Sequence, residues 1–251
     1  MSRYDFTSHR LFLDAPLHAG AEIALNKDQA NYLLNVLRLP EAAGVLVFNG
    51  RDGEWRAQLS IASKKAARLI ATEKTRGQDR PADIELLFAP LKHARLDYMV
   101  QKAVEMGVCA IRPVITRRTQ ASRVNLERMR ANVIEAAEQC GVLSLPKVHA
   151  EVPLRQVLDE WPQKNRTLIF CDEDAAPGGP LAALETLRRG GSVPPLSLVI
   201  GPEGGFDPEE RAQFLLLSNV LRLSLGPRIL RADTAAVAAL ALVQACLGDW
   251  R

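Results

Sequence analysis

The stretch that decides the fold reads IGPEGGFDPEE, residues 200–210, and directly follows the apolar run LSLV at residues 196–199. Three glycines within residues 201–205 let the main chain approach a ligand closely and expose its N–H groups. Asp207 suits the N-cap of a helix, and Glu210 suits the reciprocal position of a capping box. This order predicts an α/β sheet with a ligand loop where a strand ends, although a plain turn before a capped helix would use the same residues.

A second strand–turn–helix segment lies downstream and contains LGPRILRADTA, residues 225–235. Two arginines stand in its turn, where a guanidinium can hold a phosphate or carboxylate with two hydrogen bonds. Because positive charge opposes the dipole at a helix N-terminus, we predict a functional role for Arg231. Neither segment has the GxGxxG or Walker A spacing, which excludes the usual dinucleotide and triphosphate fingerprints.

Around these segments the sequence alternates between apolar strands and helices. Strands are predicted at residues 84–91, 109–116, near 148, 167–173, 196–201 and 220–225. Helices are predicted at residues 96–106, 125–139, 154–161, 181–188, 208–217 and 234–247. This alternation is typical of an α/β domain, a parallel sheet with helices on both faces.

The N-terminal part has a different pattern, dominated by short β segments. Residues 45–50, 54–62 and 67–74 are rich in β-branched and aromatic residues and are separated by turn formers. One helix is predicted at residues 27–39, before Pro40. We therefore predict a small β-barrel in residues 1–75, a linker at 76–82 and the α/β domain at 83–251.

Composition excludes several classes of protein. The chain has 251 residues, 47% hydrophobic and 24% charged, which excludes a disordered, collagen-like or coiled-coil protein. Its four cysteines and four histidines are widely separated, so neither a disulfide framework nor a metal site is expected. The charged N-terminus is unlike a signal peptide, and the longest apolar run, residues 234–247, is too short to span a bilayer. We expect a soluble cytoplasmic protein with no membrane partner.

The net charge of +3 is small, but its distribution is uneven. Residues 92–130 carry nine basic and three acidic groups, so this segment has a local charge of +6. A solvated helix face is the commonest cause of such a run, and a phosphate-rich partner is the alternative.

GPEGGF at residues 201–206, followed by LGPRILRADTA, resembles the motif pair of the SPOUT-type RNA methyltransferases. The resemblance is to the family of bacterial 16S ribosomal RNA uracil-N3 methyltransferases. Further segments similar to its signatures are RLF at 10–12, VLRL at 36–39, QKAVEMGV at 101–108 and EAAEQC at 135–140. The chain departs from the family pattern at Asn31 and Tyr32 (often a His pair), Ala42 and Ala43 (often Gly-Asp) and Val142 (often Arg).

The resemblance implies a PUA-like RNA-binding barrel at the N-terminus and a deep trefoil knot in the α/β domain. It implies S-adenosylmethionine as cofactor, held in the knot, and a homodimer formed through the knotted domain. By carry-over, the cofactor site comprises Phe170, Ile200, Gly201, Pro202, Glu203, Gly204, Gly205, Leu225, Gly226, Ile229 and Leu230. The implied reaction is methylation of N3 of a uridine in the 16S ribosomal RNA of the small ribosomal subunit.

Methylation of uracil N3 requires removal of a weakly acidic imide proton, which leaves an anion. We assign Arg231 to stabilising that anion. Glu203 is a candidate catalytic residue as the proton acceptor, as are Asp233 and solvent, and the sequence does not choose among the three. The residues expected to hold the RNA backbone are Arg10, Arg38, Lys102, Arg117, Arg118 and Arg123. For Arg10 and Arg38, pinning the two domains together is an equal alternative.

Three other functions fit parts of the pattern. A related knotted enzyme would methylate a ribose 2′-OH or another base. A knotted RNA-binding protein would bind RNA without catalysis. A metabolic α/β enzyme would use the glycine-rich turn for a small anionic substrate and would not need the N-terminal barrel.

Overall fold

The computed structural model describes residues 5, 7–63, 65–120, 123–175, 179–188 and 192–250. The chain divides into two compact units. The first is Met1–Arg80 with Ala137–Leu145, and the second is Pro81–Ala136 with Pro146–Arg251. The division after Arg80 falls within the segment 76–82, but residues 137–145 belong to the first unit although their position in the sequence assigns them to the α/β domain.

A barrel-like sheet of five strands forms the first unit within the described residues. The strands are β1 (Arg10–Phe12), β2 (Glu22–Ala24), β3 (Gly44–Phe48), β4 (Glu54–Ser63) and β5 (Ala66–Arg76), in the order β1-β3-β4-β5-β2. β1 pairs with β3 in parallel, and the other pairs are antiparallel. Leu11, Val47 and Leu69 lie in its core. The sequence predicts β3, β4 and β5 but not β1 and β2, because three residues are too few for a periodic signal.

The predicted helix at residues 27–39 is shorter and changes type. Helix α1 (Lys27–Asn31) begins at Asn26 with a capping box and continues as a π-helix, Tyr32–Val36. Beyond it the chain turns sharply, since Arg38 has φ 53° and Ala42 has φ 62°. Both angles lie in the left-handed region, so the glycine that the family often has at position 42 would meet less strain there.

A buried ion-pair network in the first unit is centred on Glu54. Arg10 Nε and Arg76 Nη2 each lie 2.8 Å from Glu54 Oε2. Arg76 Nη2 also donates to the carbonyl of Gly141 at 2.9 Å, and Arg10 Nη1 to that of Glu138 at 3.3 Å. The Arg10 guanidinium is therefore buried and engaged, and it fastens residues 137–145 to the barrel. The RNA contact expected of Arg10 stays a prediction, and in this structure its side chain is 4% exposed.

The second unit contains a parallel sheet with helices packed around it. Its strands are β6 (Ile84–Phe88), β7 (Ala110–Ile115), β8 (Lys147–Val148), β9 (Val152–Pro153), β10 (Thr167–Cys171), β11 (Leu196–Ile200) and β12 (Val220–Leu223). The order is β12-β10-β11-β6-β7-β8, and β9 pairs with the end of β7. The helices are α2 (His93–Glu105), α3 (Leu126–Cys140), α4 (Leu154–Glu160), α5 (Pro180–Arg188), α6 (Pro208–Leu215) and α7 (Ala232–Leu247), with a 3₁₀ turn at Trp161–Gln163.

This architecture confirms the predicted parallel α/β sheet, with differences at the ends of elements. β6 stops at Phe88, because Pro90 follows and cannot donate to the ladder. Helix α7 begins at Ala232 with Arg231 as its N-cap, two residues before the predicted start at residue 234. The trefoil knot implied by the family resemblance stays a prediction. Among the described residues, no helix has the length and apolar character needed to cross a membrane.

We expect Glu54→Gln to lower the free energy of unfolding by about 3–5 kcal/mol, because it leaves two guanidinium groups without their buried counter-charge. Urea unfolding at neutral pH measures the change. Glu22→Gln is the matched control, since Glu22 forms a half-exposed pair with Arg68 at 3.0 Å. That substitution should cost less than about 1 kcal/mol. Equal, small losses in both variants would contradict a structural role for Glu54.

The same comparison has an expected pH dependence. Burial alone would raise the pKa of Glu54, but hydrogen bonds from Arg76, Arg10 and Thr75 outweigh it and hold this pKa below the ordinary value of 4.5. The stability difference between wild type and Glu54→Gln should therefore be complete above pH 4.5. It should shrink as the pH falls below that value and through the pKa of the folded state.

Candidate functional site at the carboxyl edge of the sheet

Five parallel strands of the second unit direct their following turns to one edge of the sheet. β12, β10, β11, β6 and β7 are consecutive neighbours and all run in the same direction. From β6 the chain goes on to β7, towards one end of the sheet, whereas from β11 it goes on to β12, at the opposite end. A topological switch point therefore lies between β6 and β11, which is where open α/β sheets bind ligands.

The glycine loop, residues 201–207, leaves β11 at this switch point. Gly205 has φ 69°, and its N–H donates to the carbonyl of Pro202 at 2.9 Å, which closes a tight turn. A Cβ atom at Gly205 would lie 2.7 Å from Glu173 Oε1, and one at Gly201 would lie 2.7 Å from the Phe206 ring. At Gly201 the close packing against the Phe206 ring depends on the absence of a side chain. At Gly205 the Glu173 carboxylate could move aside, and the positive φ is what favours glycine.

Helix α6 begins where the glycine loop ends, and its N-terminus has the predicted cap. The Asp207 carboxylate accepts from Glu209 N at 3.0 Å, and Glu210 Oε2 accepts from Asp207 N at 3.1 Å. Pro208 occupies the first turn. The capping box predicted from the sequence is confirmed, and it fixes the direction in which the loop enters the helix.

An aromatic cluster of Phe170, Phe206 and Phe214 lies beneath the glycine loop. Phe170 stacks on Phe214 with ring centroids 4.5 Å apart, and the Phe206 ring meets Phe170 edge-on at 5.4 Å. The Phe170 side chain is 1% exposed, because β10 is a central strand. Its ring therefore supports the loop from the core, and the place of Phe170 in the cofactor site stays a prediction. The side chains of Ile200 and Pro202 are buried as well.

A second loop, residues 224–231, follows β12 and has free main-chain groups. Gly226 has φ 100°, and no atom lies within 4 Å of a Cβ built there. Within the described part of the chain, residues 225–230 form no main-chain hydrogen bond. Ile229 is 89% exposed, and Leu230 is partly buried. This loop can therefore offer N–H and carbonyl groups and an apolar side chain to a ligand or a partner.

The charged residues at this edge differ in their partners. The Glu203 carboxylate forms an ion pair with Arg95, a residue in the first turn of α2. Asp233, in the first turn of α7, has a buried Oδ1 atom without a hydrogen-bond partner among the described residues. Arg228 and Arg231 are exposed, and in the same part of the chain neither guanidinium has a hydrogen bond or ion pair. Among the described residues, Arg228, Arg231 and one oxygen of Asp233 are thus the charged groups of this edge without a partner.

One residue of this edge that the sequence analysis missed is Asp172, directly after β10. Its buried carboxylate accepts two hydrogen bonds from Arg211 at 3.0 Å and one from Arg222 at 2.9 Å. Burial alone would raise the pKa of Asp172, but the bonds from Arg211, the Asp174 amide and Arg222 together lower it. An ionised Asp172 therefore ties the end of β10 to α6 and β12. The acidic run at residues 172–174 after a strand was the available signal.

The residues predicted to hold RNA fall into two groups. Members of the first group have partners within the protein. Lys102 pairs with Glu105 at 2.7 Å and lies over the Tyr98 ring. Arg118 contacts the carbonyl of Gly204 in the glycine loop, and Arg117 contacts Asp207 at the N-terminus of α6. Arg38, in the first unit, and Arg123, in the second, are exposed and have no hydrogen bond or ion pair with described residues. Local charge counting could not single out Arg117 and Arg118, because their partners lie 90 and 86 residues away in the sequence. The partner of Lys102, in contrast, is only three residues away.

Comparison with known proteins gives two family matches. A model of the RNA methyltransferase domain matches residues 78–244. A model of the RNA methyltransferase PUA domain matches residues 25–71. The first match covers most of the second unit, and the second lies within the barrel-like sheet.

Individual proteins are similar over nearly the whole chain. The ribosomal RNA small subunit methyltransferase E of Rickettsia conorii is 29% identical over 237 residues, 94% of this chain and 95% of that protein. The enzyme of the same name from Synechocystis is 31% identical, over 90% of this chain and 74% of that protein. A crystal structure of the Neisseria gonorrhoeae enzyme bound to S-adenosyl methionine superposes with a TM-score of 0.84, at 30% identity, over 97% of this chain and all of that one.

Proposed function

We propose that this chain, which belongs to the RNA methyltransferase family, transfers the methyl group of S-adenosylmethionine to N3 of a uridine in 16S ribosomal RNA. The match of the RNA methyltransferase model to residues 78–244 confirms the family resemblance. The match of the PUA model to residues 25–71 agrees with the barrel-like first unit. The observation that carries the proposal is that the glycine loop, the second loop and Arg231, which has no partner among the described residues, lie at one edge of the sheet. The small ribosomal subunit is the proposed partner, and the cytoplasm is the proposed location.

The two loops suit S-adenosylmethionine by the chemistry of their donors. Gly226 leaves open space where a side chain would stand, and the main chain of residues 225–230 is free to hydrogen-bond. The residues that would hold the cofactor through main-chain groups and small or apolar side chains are Gly201, Glu203, Gly204, Gly205, Leu225, Gly226, Ile229 and Leu230. When bound, the cofactor supplies an electrophilic methyl group on a sulfonium sulfur. The loops contribute proximity and orientation to the reaction.

Arg231 is proposed to stabilise the uracil anion. Loss of the N3 proton spreads negative charge over N3 and the two carbonyl oxygens of uracil. A guanidinium placed beside these oxygens acts as the donors of an oxyanion hole do. Arg231 suits this role because it is exposed, has no partner among the described residues and stands at the N-terminus of α7, whose dipole also favours an anion.

For the proton acceptor we propose Asp233 in preference to Glu203. The Glu203 carboxylate is already neutralised by Arg95, so its lone pairs are partly used. Asp233 Oδ1 has no donor among the described residues, and Asp233 lies two positions after Arg231 on the same helix end. A carboxylate without competing donors is the better general base of the two. Glu203 keeps a proposed role in the cofactor site.

Two further parts of the proposal concern binding. The exposed guanidinium groups of Arg38 and Arg123 are proposed to hold RNA phosphates, a contact that weakens with added salt. The chain is proposed to form a homodimer through the second unit. This part of the proposal rests on the family resemblance, in which the knotted domain forms the dimer.

The proposal is tested by methyl transfer from labelled S-adenosylmethionine to small ribosomal subunits and to protein-free 16S ribosomal RNA. Digestion and mass spectrometry of the nucleosides should give 3-methyluridine at one mapped position. A 2′-O-methyl nucleoside or another methylated base would disprove N3 specificity and favour the related knotted enzymes. Absence of transfer to both substrates would contradict methyltransferase activity on this RNA.

Arg231→Ala should lower the rate of methyl transfer about 10²–10³-fold, as expected for removal of one group that stabilises an anionic transition state. Its Kd for S-adenosylmethionine, measured by calorimetry, should stay at the wild-type value. Arg228→Ala is the matched control, because Arg228 is exposed in the same loop and lacks an assigned role. Unchanged turnover in Arg231→Ala would remove this residue from the mechanism.

Asp233→Asn and Glu203→Gln should differ in which kinetic constant changes. Loss of a general base lowers kcat, so Asp233→Asn should lower kcat with little change in the KM for S-adenosylmethionine. Glu203→Gln should chiefly raise the KM for S-adenosylmethionine. The opposite assignment, with kcat lost in Glu203→Gln and retained in Asp233→Asn, would make Glu203 the acceptor.

A further inference from the structure

The segment after β7 contacts the glycine loop and the helix that follows it. Arg118 Nη1 donates to the carbonyl of Gly204 at 2.8 Å. Arg117 Nη1 donates to the Asp207 carboxylate at 2.9 Å, and the Arg117 main-chain N–H donates to Glu210 Oε1 at 2.8 Å. Two consecutive residues thus reach both the turn of the loop and the N-terminus of α6.

The contact from Arg118 orients one particular peptide group. The carbonyl of Gly204 and the N–H of Gly205 belong to the same planar unit and point in opposite directions. Arg118 holds the carbonyl, and the carbonyl of Pro202 accepts from the N–H at 2.9 Å. This peptide is therefore held from both sides in the geometry that requires φ 69° at Gly205. A glycine pair lacks side chains that could do the same by packing.

The groups that make these contacts are themselves held in place. Thr116 is buried, its N–H donates to Thr119 Oγ1 at 2.9 Å, and its carbonyl accepts from Thr119 N at 3.2 Å. This turn fixes the direction in which Arg117 and Arg118 leave the sheet. On the other side, the buried Glu210 accepts hydrogen bonds from both Arg117 N and Asp207 N.

Arg123 lies in the same basic segment, residues 92–130, and serves as a comparison for Arg118. It is exposed and forms no hydrogen bond or ion pair with the described residues. A phosphate group can approach Arg123 without displacing a protein contact. The same approach to Arg118 would have to compete with the Gly204 carbonyl.

We propose that Arg118, supported by Arg117, is a positioning residue for the glycine loop, so that affinity for S-adenosylmethionine depends on it before any RNA is bound. The identity of this ligand rests on the proposed function, whereas the positioning itself does not. The competing role is a direct contact with the RNA backbone, which leaves the affinity for the cofactor unchanged.

The experiment compares Arg118→Gln, Arg118→Lys and the matched control Arg123→Gln with the wild-type chain, all without RNA. Hydrogen–deuterium exchange of peptides that span residues 201–210 in ligand-free protein reports the order of the loop. Calorimetry with S-adenosylmethionine reports its Kd. Thermal unfolding of each variant shows that it is folded, as expected for substitutions of exposed side chains.

Arg118→Gln should exchange faster across the loop and should raise the Kd about tenfold, as for loss of one charge-assisted hydrogen bond. Arg118→Lys keeps a cationic donor and should recover most of the affinity. Arg123→Gln should match the wild type in both measurements. The proposal is overturned if Arg118→Gln behaves as Arg123→Gln does. If the wild type itself does not bind S-adenosylmethionine, the proposed function fails, and the exchange data still decide whether Arg118 orders the loop.

Discussion

Parallel pairing of β6, β10, β11 and β12 is the constraint on which the candidate site depends. Because these strands run in one direction, the turns after them meet at one edge, although the chain between them is long. The order in which the strands are connected reverses between β6 and β11, which is where open α/β sheets bind ligands. Asp172, Glu203 and Arg231 all follow strands of this sheet and therefore lie at this edge.

A glycine-rich loop has few side chains that could fix its conformation by packing. Hydrogen bonds and ion pairs from charged residues nearby fix the loops of this edge instead. The ionised Asp172 joins the end of β10 to Arg211 and Arg222, and Arg118 holds a carbonyl of the glycine loop. Some of the basic residues in the segment 92–130 are therefore already bonded to groups of the second unit. A count of charges along the sequence overstates how many of them are left for RNA.

The sequence predicted most elements because each carries its own periodic or capping signal. The Asp207–Glu210 capping box involves residues only three positions apart, and the structure confirms its prediction from the sequence. β1 and β2 were missed because each has three residues, and the role of Arg10 was missed because its partner Glu54 lies on another strand. The cofactor positions came from the family resemblance. The burial of Phe170 shows that such a transfer identifies a position but not whether its side chain is accessible.

By itself, the sequence determined the family, the α/β alternation, the barrel-like N-terminal unit and the positions of the two loops, since these depend on local spacing and motifs. Only the tertiary structure decided which charged groups are free. Glu203 is paired with Arg95, whereas among the described residues one oxygen of Asp233 and the guanidinium of Arg231 have no partner. The physical reason is that ion pairs form between groups that the fold brings together. Their partners are set by strand order and not by distance along the chain.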